Sequence, residues 1–191
     1  MTINERKADL RRQIKQMEKQ MPRETRAQSD ACLARQLLRL DALCQARTVM
    51  LFSPFGSEPD LSPVLDACAA DGKRLLLPRM TADYGLEARE VRGRESLRAG
   101  TFGILEPDDD CPAVPQHEID FILVPAICYD VHGGRLGRGA GYYDRFLSGY
   151  TGMTVGLCRN CFLQQDVPWA AHDIRVKVVV TEDRVLCCTD G

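Results

Sequence analysis

The sequence predicts an α/β protein, a three-layer α/β/α domain with a mostly parallel central sheet and helices on both faces. Two observations predict this class. Strand, loop, helix and strand patterns follow one another over residues 48–77, which is the order of a βαβ unit with parallel strands and a right-handed crossover. Residues 121–124 form a continuous apolar run, as expected for a central strand that is covered on both faces.

Composition is consistent with one globular domain. The chain has 191 residues, 45% of them hydrophobic, and we expect a single domain over residues 1–191 because no repeat or linker divides it. Charged residues make up 27% and the net charge is −2, so general nucleic-acid affinity and disorder are disfavoured. No apolar stretch approaches the roughly 20 residues of a membrane span, and the first ten residues are charged. We therefore expect a cytoplasmic protein that binds neither nucleic acid nor membrane.

Helical periodicity predicts the helices. Thr2 and Glu5 have the spacing of a capping box, and apolar residues recur at helical intervals from there until Pro22, so a first helix is expected to end at that proline. The same kind of pattern predicts further helices over residues 23–40, 61–70 and 143–147.

Short β-rich runs predict the strands. Besides 121–124, these runs cover residues 48–52, 73–77, 87–91, 154–157 and 176–180. Residues 103–115 contain three consecutive aspartates and are predicted to form a surface connection.

The nine cysteines are predicted to be reduced, because their number is odd and no secretory signal precedes them. Cys158 and Cys161 form one CxxC pair, but Cys187 and Cys188 are adjacent, so the second pair that such a zinc site requires is missing. A thiol redox role for Cys158 and Cys161 remains an alternative, although no thioredoxin-like strand-to-helix pattern surrounds the pair.

A glycine-rich segment after the predicted central strand has the features of an anion site. It contains three glycines at alternate positions, Gly137, Gly139 and Gly141, and three arginines, Arg135, Arg138 and Arg145. Ligands of open α/β sheets bind at the carboxyl ends of strands, and arginine binds phosphate in a forked geometry. Ala140 stands where a P-loop requires lysine, and Tyr142 stands where a dinucleotide fingerprint requires its third glycine. The segment therefore indicates a different phosphate loop, unless its glycines only turn the chain and its arginines face water.

Two features that follow the loop favour a ligand. Tyr142 and Tyr143 are placed to line a pocket for a flat ring. Asp144 would repel a neighbouring phosphate unless a divalent cation lay between them, and Mg²⁺ is the natural bridge. An acidic residue in the first turn of a helix is also favoured by the helix dipole without any metal, and the residues alone leave both interpretations open.

These residues resemble the 5-formyltetrahydrofolate cyclo-ligase family, also called 5,10-methenyltetrahydrofolate synthetase. The core of the resemblance is Pro125 through Asp130 followed by Arg135 through Asp144. It extends over nearly the whole chain and includes Lys7 and Arg11 in the first helix, Glu58, residues 103–107, Asp173 and residues 178–181.

The resemblance implies an ATP- and Mg²⁺-dependent ligase that converts 5-formyltetrahydrofolate to 5,10-methenyltetrahydrofolate and releases ADP and phosphate. The implied route is phosphorylation of the formyl oxygen, attack by N10 and loss of phosphate, which needs no cysteine or serine nucleophile. The implied partners are 5-formyltetrahydrofolate and ATP, and the implied state is a monomer. The alternative is a non-catalytic protein that binds nucleotide or folate and sequesters one-carbon folates.

The resemblance also implies roles for individual residues. For ATP these are Lys7, Arg11, Arg135, Leu136, Gly137, Arg138, Gly139, Ala140, Gly141, Tyr142 and Tyr143. For the folate they are Ser53, Glu58, Arg138, Gly139, Ala140, Gly141 and Tyr142. For Mg²⁺ they are Asp144 and Asp173.

Two positions depart from the family pattern. Some members carry lysine where Ala140 stands, so this loop has one cation fewer and is expected either to bind ATP less tightly or to depend more on Arg138. Lys177 occupies a place that is often acidic, four residues after Asp173. In an extended strand these two side chains would share a face, and an ion pair between them would compete with magnesium.

Overall fold

The computed structural model describes residues 1–81, 85–100 and 105–188. The helices of the described residues are α1 (Ile3–Gln20), α2 (Arg23–Leu38), α3 (Asp41–Gln45), α4 (Ser62–Ala70) and α5 (Tyr142–Leu147). The strands of the main sheet are β1 (Thr48–Met50), β2 (Arg74–Met80), β3 (Leu86–Glu90), β6 (Ala113–Val114), β7 (Phe121–Val124), β10 (Met153–Leu157), β11 (Val178–Val180) and β12 (Val185–Cys187). Two small hairpins pair β4 (Leu97–Ala99) with β5 (Leu105–Pro107) and β8 (Cys128–Tyr129) with β9 (Arg135–Leu136). Within these ranges, no helix is both long enough and apolar enough to cross a bilayer.

The main sheet has the strand order β12-β11-β10-β7-β1-β2-β3-β6. Its five inner strands, from β11 to β2, are parallel, and antiparallel strands complete it on both sides. The parallel pair β1 and β2, joined through α4, confirms the predicted βαβ unit. The chain leaves β1 toward β2 but leaves β7 toward β10, so the direction of winding reverses between the neighbouring strands β1 and β7.

Both faces of the sheet are covered by helices, which confirms the predicted three layers. Alternate residues of a strand point to opposite faces. On one face, side chains such as Val49 pack with α2 and α4. On the other, side chains such as Met50 and Ile122 pack with Ile14 of α1 and Leu147 of α5. Every residue of β7 is buried, which explains its continuous apolar sequence.

Helix α1 begins at the predicted capping box. The Thr2 side chain accepts a hydrogen bond from the Glu5 N–H at 3.2 Å, and the Glu5 carboxylate accepts one from the Thr2 N–H at 2.7 Å. Lys7, Arg11 and Ile14 are spaced to lie on one face of the helix. Because Ile14 is buried against the sheet, the two cations are held beside the carboxyl ends of the strands.

Several boundaries differ from the predictions. The stretch predicted as a surface connection over 103–115 contains β5 and β6, while residues 103 and 104 lie outside the described ranges. The last parallel strand begins at residue 178 and not at 176. The small hairpins and β12 were not predicted, because these two- or three-residue strands are too short to show alternation and form only through pairing with distant residues.

Candidate active site

A cleft of about 600 Å³ opens at the carboxyl ends of β1, β2 and β7, beside the point where the winding reverses. Open α/β sheets bind ligands at this position. We call it the main cleft. It brings together every residue that the family resemblance implies, namely Lys7, Arg11, Ser53, Glu58, the continuous segment from Arg135 to Asp144, and Asp173.

The turn between β8 and β9, which precedes the glycine-rich loop, is held in place by Asp130, a residue whose role the sequence did not reveal. Its carboxylate is only 4% exposed and accepts hydrogen bonds from the backbone N–H groups of His132 and Gly134, at 2.9 and 2.7 Å. It also accepts one from Val167 at 2.9 Å. A Cβ atom at Gly134 would lie 2.3 Å from the Asp130 carboxylate, so only glycine fits there. Asp130 therefore joins the β8–β9 hairpin to the segment that leads to Asp173.

Helix α1 contacts both of these segments. The Lys7 ammonium donates to Asp173 Oδ2 at 2.5 Å, and Arg11 Nε donates to the Gly137 carbonyl oxygen at 2.9 Å. The prediction that Lys7 and Arg11 share one helix face is thereby confirmed. Lys7 and Arg11, one helical turn apart, therefore both line the main cleft.

Arg135 and Asp144 form a second ion pair, with 2.6 Å between Nη2 and Oδ1. The Arg135 side chain is only 5% exposed, and its Nε has no hydrogen-bond partner among the described residues. Asp144 Oδ1 also accepts from the backbone N–H of Ile174 at 3.0 Å. Because Ile174 directly follows Asp173, this bond brings the two predicted magnesium ligands into one neighbourhood.

Arg138 and Glu58 form a third ion pair, with 2.8 Å between Nη2 and Oε1. Arg138 also donates to the Phe55 carbonyl oxygen at 3.2 Å and lies 4.9 Å from the centroid of the Phe55 ring. Glu58 Oε2 accepts from the Phe55 N–H at 2.8 Å, and the Glu58 side chain is only 12% exposed. Glu58 is thus a largely buried carboxylate that is fixed by hydrogen bonds, and it is not a solvent-exposed loop residue.

The three ion pairs share a pattern. Each joins a cation implied for ATP to a carboxylate implied for magnesium or folate. Among the described residues, the main cleft is lined by four cations and four carboxylates, namely Lys7, Arg11, Arg135 and Arg138 with Glu58, Glu106, Asp144 and Asp173. These described side chains are therefore close to neutral in sum, and a charged ligand that binds here competes with the internal ion pairs.

Asp173 has a perturbed pKa. Burial acts to raise it, but the hydrogen bonds from the Lys7 ammonium and the Ala170 N–H, together with the Lys7 charge, outweigh burial and lower the pKa below its ordinary value of 3.8. The Ala170 N–H lies 2.7 Å from Asp173 Oδ2. The Trp169 indole N–H donates to the Asp173 carbonyl oxygen at 3.2 Å. Residues 169–173 therefore form a short turn that fixes the position of the Asp173 carboxylate.

This lowered pKa predicts a pH-dependent difference in stability. Asp173→Asn is expected to lower the free energy of unfolding by about 1 kcal/mol at neutral pH, since the charge-assisted bond from Lys7 is lost. A carboxylate with a lowered folded-state pKa stabilises the protein fully above its ordinary pKa of 3.8 and loses that contribution as the pH falls through the lowered value. Urea unfolding of both proteins between pH 3 and 7 checks this.

The difference between wild type and Asp173→Asn should shrink below pH 4 and vanish in stronger acid. Asp66→Asn is the matched control, because Asp66 is exposed on α4 and does not line the main cleft. A difference that stays constant across the pH range would contradict the role of the Lys7–Asp173 pair.

The two tyrosines after the loop differ in environment. Tyr143 packs edge-on against Phe146, with ring centroids 6.4 Å apart, and its buried hydroxyl has no partner among the described residues. Burial, and secondarily the Glu58 charge, raises the Tyr143 pKa, so the hydroxyl stays protonated as a donor.

Tyr142 packs against Arg145, whose guanidinium carbon lies 5.3 Å from the centroid of the Tyr142 ring. Arg145 also donates to the Ala140 carbonyl oxygen at 3.0 Å, which braces the loop, and does not line the main cleft, contrary to the expectation that it supplies anion charge there.

The predicted pair between Asp173 and Lys177 is wrong. Residues 173–177 precede β11 and do not form a strand, so their side chains do not alternate as assumed. The Lys177 ammonium donates to the Thr151 carbonyl oxygen, and Lys7 is the ion partner of Asp173. A competing cation exists, but it comes from α1.

Asp144 and Asp173 both line the main cleft and would offer carboxylate oxygens to a magnesium ion. Within the described ranges, no group of three or more His, Cys, Asp or Glu side chains is arranged to hold a metal. Mg²⁺ prefers oxygen ligands and is commonly held by one or two carboxylates together with substrate phosphates. In this structure the Asp173 carboxylate binds a different cation, the Lys7 ammonium.

The cysteines of the CxxC pair lack the environment of reactive thiols. Burial raises the pKa of Cys158 to about 12 and also raises that of Cys161. A reactive thiol needs a lowered pKa, because the thiolate is the nucleophile. The structure therefore disfavours the thiol redox alternative.

Comparisons with known proteins agree with the geometry. A model of the 5-formyltetrahydrofolate cyclo-ligase family matches residues 3–182. A 5-formyltetrahydrofolate cyclo-ligase from Mycolicibacterium smegmatis is 38% identical over 145 residues, covering 72% of this chain and 75% of the relative. One from Escherichia coli strain K12 is 28% identical over 178 residues, covering 90% and 98%. The NMR structure of Aquifex aeolicus 5,10-methenyltetrahydrofolate synthetase matches with a TM-score of 0.86 at 32% identity, covering 97% and 94%.

Proposed function

The chain belongs to the 5-formyltetrahydrofolate cyclo-ligase family, whose members are ATP-dependent ligases, and we propose that its main cleft converts 5-formyltetrahydrofolate to 5,10-methenyltetrahydrofolate. ATP is the co-substrate, and ADP and phosphate are released. One observation carries the proposal: residues from α1, from the loop after β1, from the glycine-rich loop and from the turn at Asp173 converge on one cleft.

The reaction needs activation because an N-formyl amide is a poor electrophile. The formyl oxygen attacks the γ-phosphorus and the bond to the ADP oxygen breaks. N10 then attacks the activated carbon and loses its proton, and phosphate leaves with the former formyl oxygen to give the cyclic methenyl cation. Phosphoryl transfer asks the protein mainly for positioning and for neutralisation of charge.

The cations of the main cleft are suited to bind the phosphates. Lys7 and Arg11 approach from α1, while Arg135 and Arg138 approach from the glycine-rich loop. Arginine can hold phosphate oxygens in a forked geometry, and the loop backbone through Tyr143 lines the same cleft. We propose that ATP draws Lys7, Arg135 and Arg138 away from their carboxylate partners.

The carboxylates that lose these partners can then bind the folate and Mg²⁺. Glu58 is suited to accept hydrogen bonds from the amino-pyrimidine N–H groups of the pterin, with Ser53 and Tyr142 beside it in the cleft. Asp144 and Asp173 would hold Mg²⁺. When bound, Mg²⁺ supplies neutralisation of the phosphate charge.

Two further properties concern the oligomeric state and the location of the protein. We propose that the protein acts as a monomer, because described residues of one chain supply every side chain assigned above to ATP, folate and Mg²⁺. We also propose that it works in the cytoplasm as a single domain. The near-balanced charge of −2 is consistent with small-molecule partners.

The deciding experiment mixes purified protein with 5-formyltetrahydrofolate and Mg-ATP and follows the near-ultraviolet absorbance of the methenyl product. We expect product only when ATP is present. If calorimetry detects binding of folate or ATP while no product forms, the protein sequesters one-carbon folates and the catalytic proposal fails.

A further inference from the structure

Asp130 makes one hydrogen bond more than its own turn requires. Its Oδ1 accepts from the backbone N–H groups of His132 and Gly134 and closes the turn between β8 and β9. Its Oδ2 accepts from the N–H of Val167, a residue 37 positions later in the chain. Asparagine also forms such turns and costs less to bury than a charge. Asparagine, however, would present an NH₂ donor where Oδ2 now accepts, so the contact with Val167 accounts for the carboxylate.

The chain around Val167 has no regular structure of its own. Residues 163–177, all of them described, form neither a helix nor a strand, and they include Asp173. We call residues 164–176 the Asp173 segment. Because this segment has no ladder of backbone bonds, its position beside the main cleft depends on a few individual contacts.

The turn between β8 and β9 supplies such contacts at both ends of the Asp173 segment. The Gln164 N–H donates to the Tyr129 carbonyl oxygen at 2.8 Å, and the Val176 N–H donates to the Gly133 carbonyl oxygen at 3.0 Å. The Asp130 carboxylate adds a third bond between these two ends. The turn is therefore the common attachment point of the segment.

The same carboxylate fixes the start of the glycine-rich loop. Gly134, whose N–H lies 2.7 Å from Asp130 Oδ1, directly precedes Arg135. Arg135 in turn pairs with Asp144. One side chain thus fixes the backbone next to the Arg135–Asp144 pair and the backbone of the segment that contains Asp173.

We propose that Asp130 is a positioning residue for the reaction, which holds the Asp173 segment in register with the glycine-rich loop and so keeps Asp173 beside Asp144 and Lys7. This inference rests on the proposed function. Asp130 is not among the described residues that line the main cleft, so it acts through Asp173 and not on a ligand. The effect of changing Asp130 must then depend on whether Asp173 is intact.

Asp130→Asn tests the inference in a double-mutant cycle with Asp173→Asn. The amide oxygen can keep both bonds of the turn, while the amide NH₂ opposes the Val167 N–H and releases the segment. We expect Asp130→Asn to lower kcat about 30-fold in the wild-type background but less than about threefold in the Asp173→Asn background. The KM for 5-formyltetrahydrofolate should change less than about twofold, because Glu58 is held by Arg138 from another part of the chain.

Urea unfolding at pH 7 provides a second cycle that needs no turnover. Asp173→Asn is expected to lower the folding equilibrium constant about fivefold in the wild-type background, through loss of the bond from Lys7. In the Asp130→Asn background the same change should lower it less than about twofold, because the released segment no longer holds Asp173 at Lys7. Asp120→Asn is the matched control, since its exposed carboxylate also accepts two backbone N–H bonds but does not line the main cleft. Its effect should be additive with that of Asp173→Asn.

Other outcomes overturn the inference or separate it from the proposed function. Additive effects of Asp130→Asn and Asp173→Asn in either cycle would show that Asp130 only supports the fold. If Asp130→Asn does not fold, Val167→Pro takes its place in both cycles, because it removes the N–H donor and retains an apolar side chain. Loss of the fold in both variants would make the contact a requirement of folding, which also overturns the inference. If the wild-type protein forms no product, the proposed function fails, and the unfolding cycle still decides whether Asp130 positions the Asp173 segment.

Discussion

Asp144→Asn is expected to lower kcat by about 10³-fold or more while leaving the fold intact, since several kcal/mol of charge stabilisation depend on a carboxylate that would hold Mg²⁺. An asparagine oxygen can still accept the bonds from Arg135 and from the Ile174 N–H, so the local geometry should survive. The variant therefore removes the negative charge and keeps an oxygen that can accept both hydrogen bonds. Steady-state kinetics over a range of Mg²⁺ concentrations measures the effect.

The control for this variant is Asp66→Asn, which changes an exposed carboxylate on α4 in the same way. Circular dichroism and thermal unfolding should show that both variants fold. Near-normal turnover in Asp144→Asn would remove this residue from the proposed magnesium site. A normal rate restored by high Mg²⁺ would instead show that its role is affinity for the ion.

Arg138→Ala is expected to lower kcat/KM for ATP by about 10²-fold or more, because a guanidinium that faces phosphate contributes charge in the transition state. The same variant should bind 5-formyltetrahydrofolate in the absence of nucleotide at least as tightly as wild type does. The reason is that Glu58 loses its internal partner and becomes free to accept bonds from the pterin. Kinetics with varied ATP and calorimetry with folate alone separate the two effects.

Arg35→Ala serves as the matched control, because Arg35 is an exposed arginine of α2 and does not line the main cleft. Equal weakening of ATP and folate binding in Arg138→Ala would indicate a general loss of structure around Phe55 and Glu58, which Arg138 contacts. Normal kinetics with ATP would contradict the assignment of Arg138 to the phosphates.

The central part of the fold was predictable because its signals are local. The apolar run of β7 and the order of β1, α4 and β2 depend on residues close together in the chain, and both are confirmed. The strand β6 and the β4–β5 hairpin were not predictable in this way. They contain two or three residues each, and only pairing with β3 or with each other makes them strands.

The sequence also named residues that line the main cleft, but the contacts among them were not predictable. Lys7 and Arg11 were identified from a four-residue spacing, and the structure places both in the main cleft. The pairing of Lys7 with Asp173 joins residues 166 positions apart, and no pattern in the sequence reports such a contact. For the same reason Lys177 was assigned the wrong partner. Asp130 was visible as part of the family segment, but its three backbone bonds appear only in the folded chain.

The balanced charge of the main cleft has a consequence for how ligands arrive. Paired charges of opposite sign cancel at a distance, so the ion pairs of the main cleft exert little force on an approaching anion. Long-range attraction is therefore expected to contribute little to the association rate, which should depend only weakly on ionic strength. The exchange of ion pairs within the main cleft is instead expected to govern how long a ligand stays.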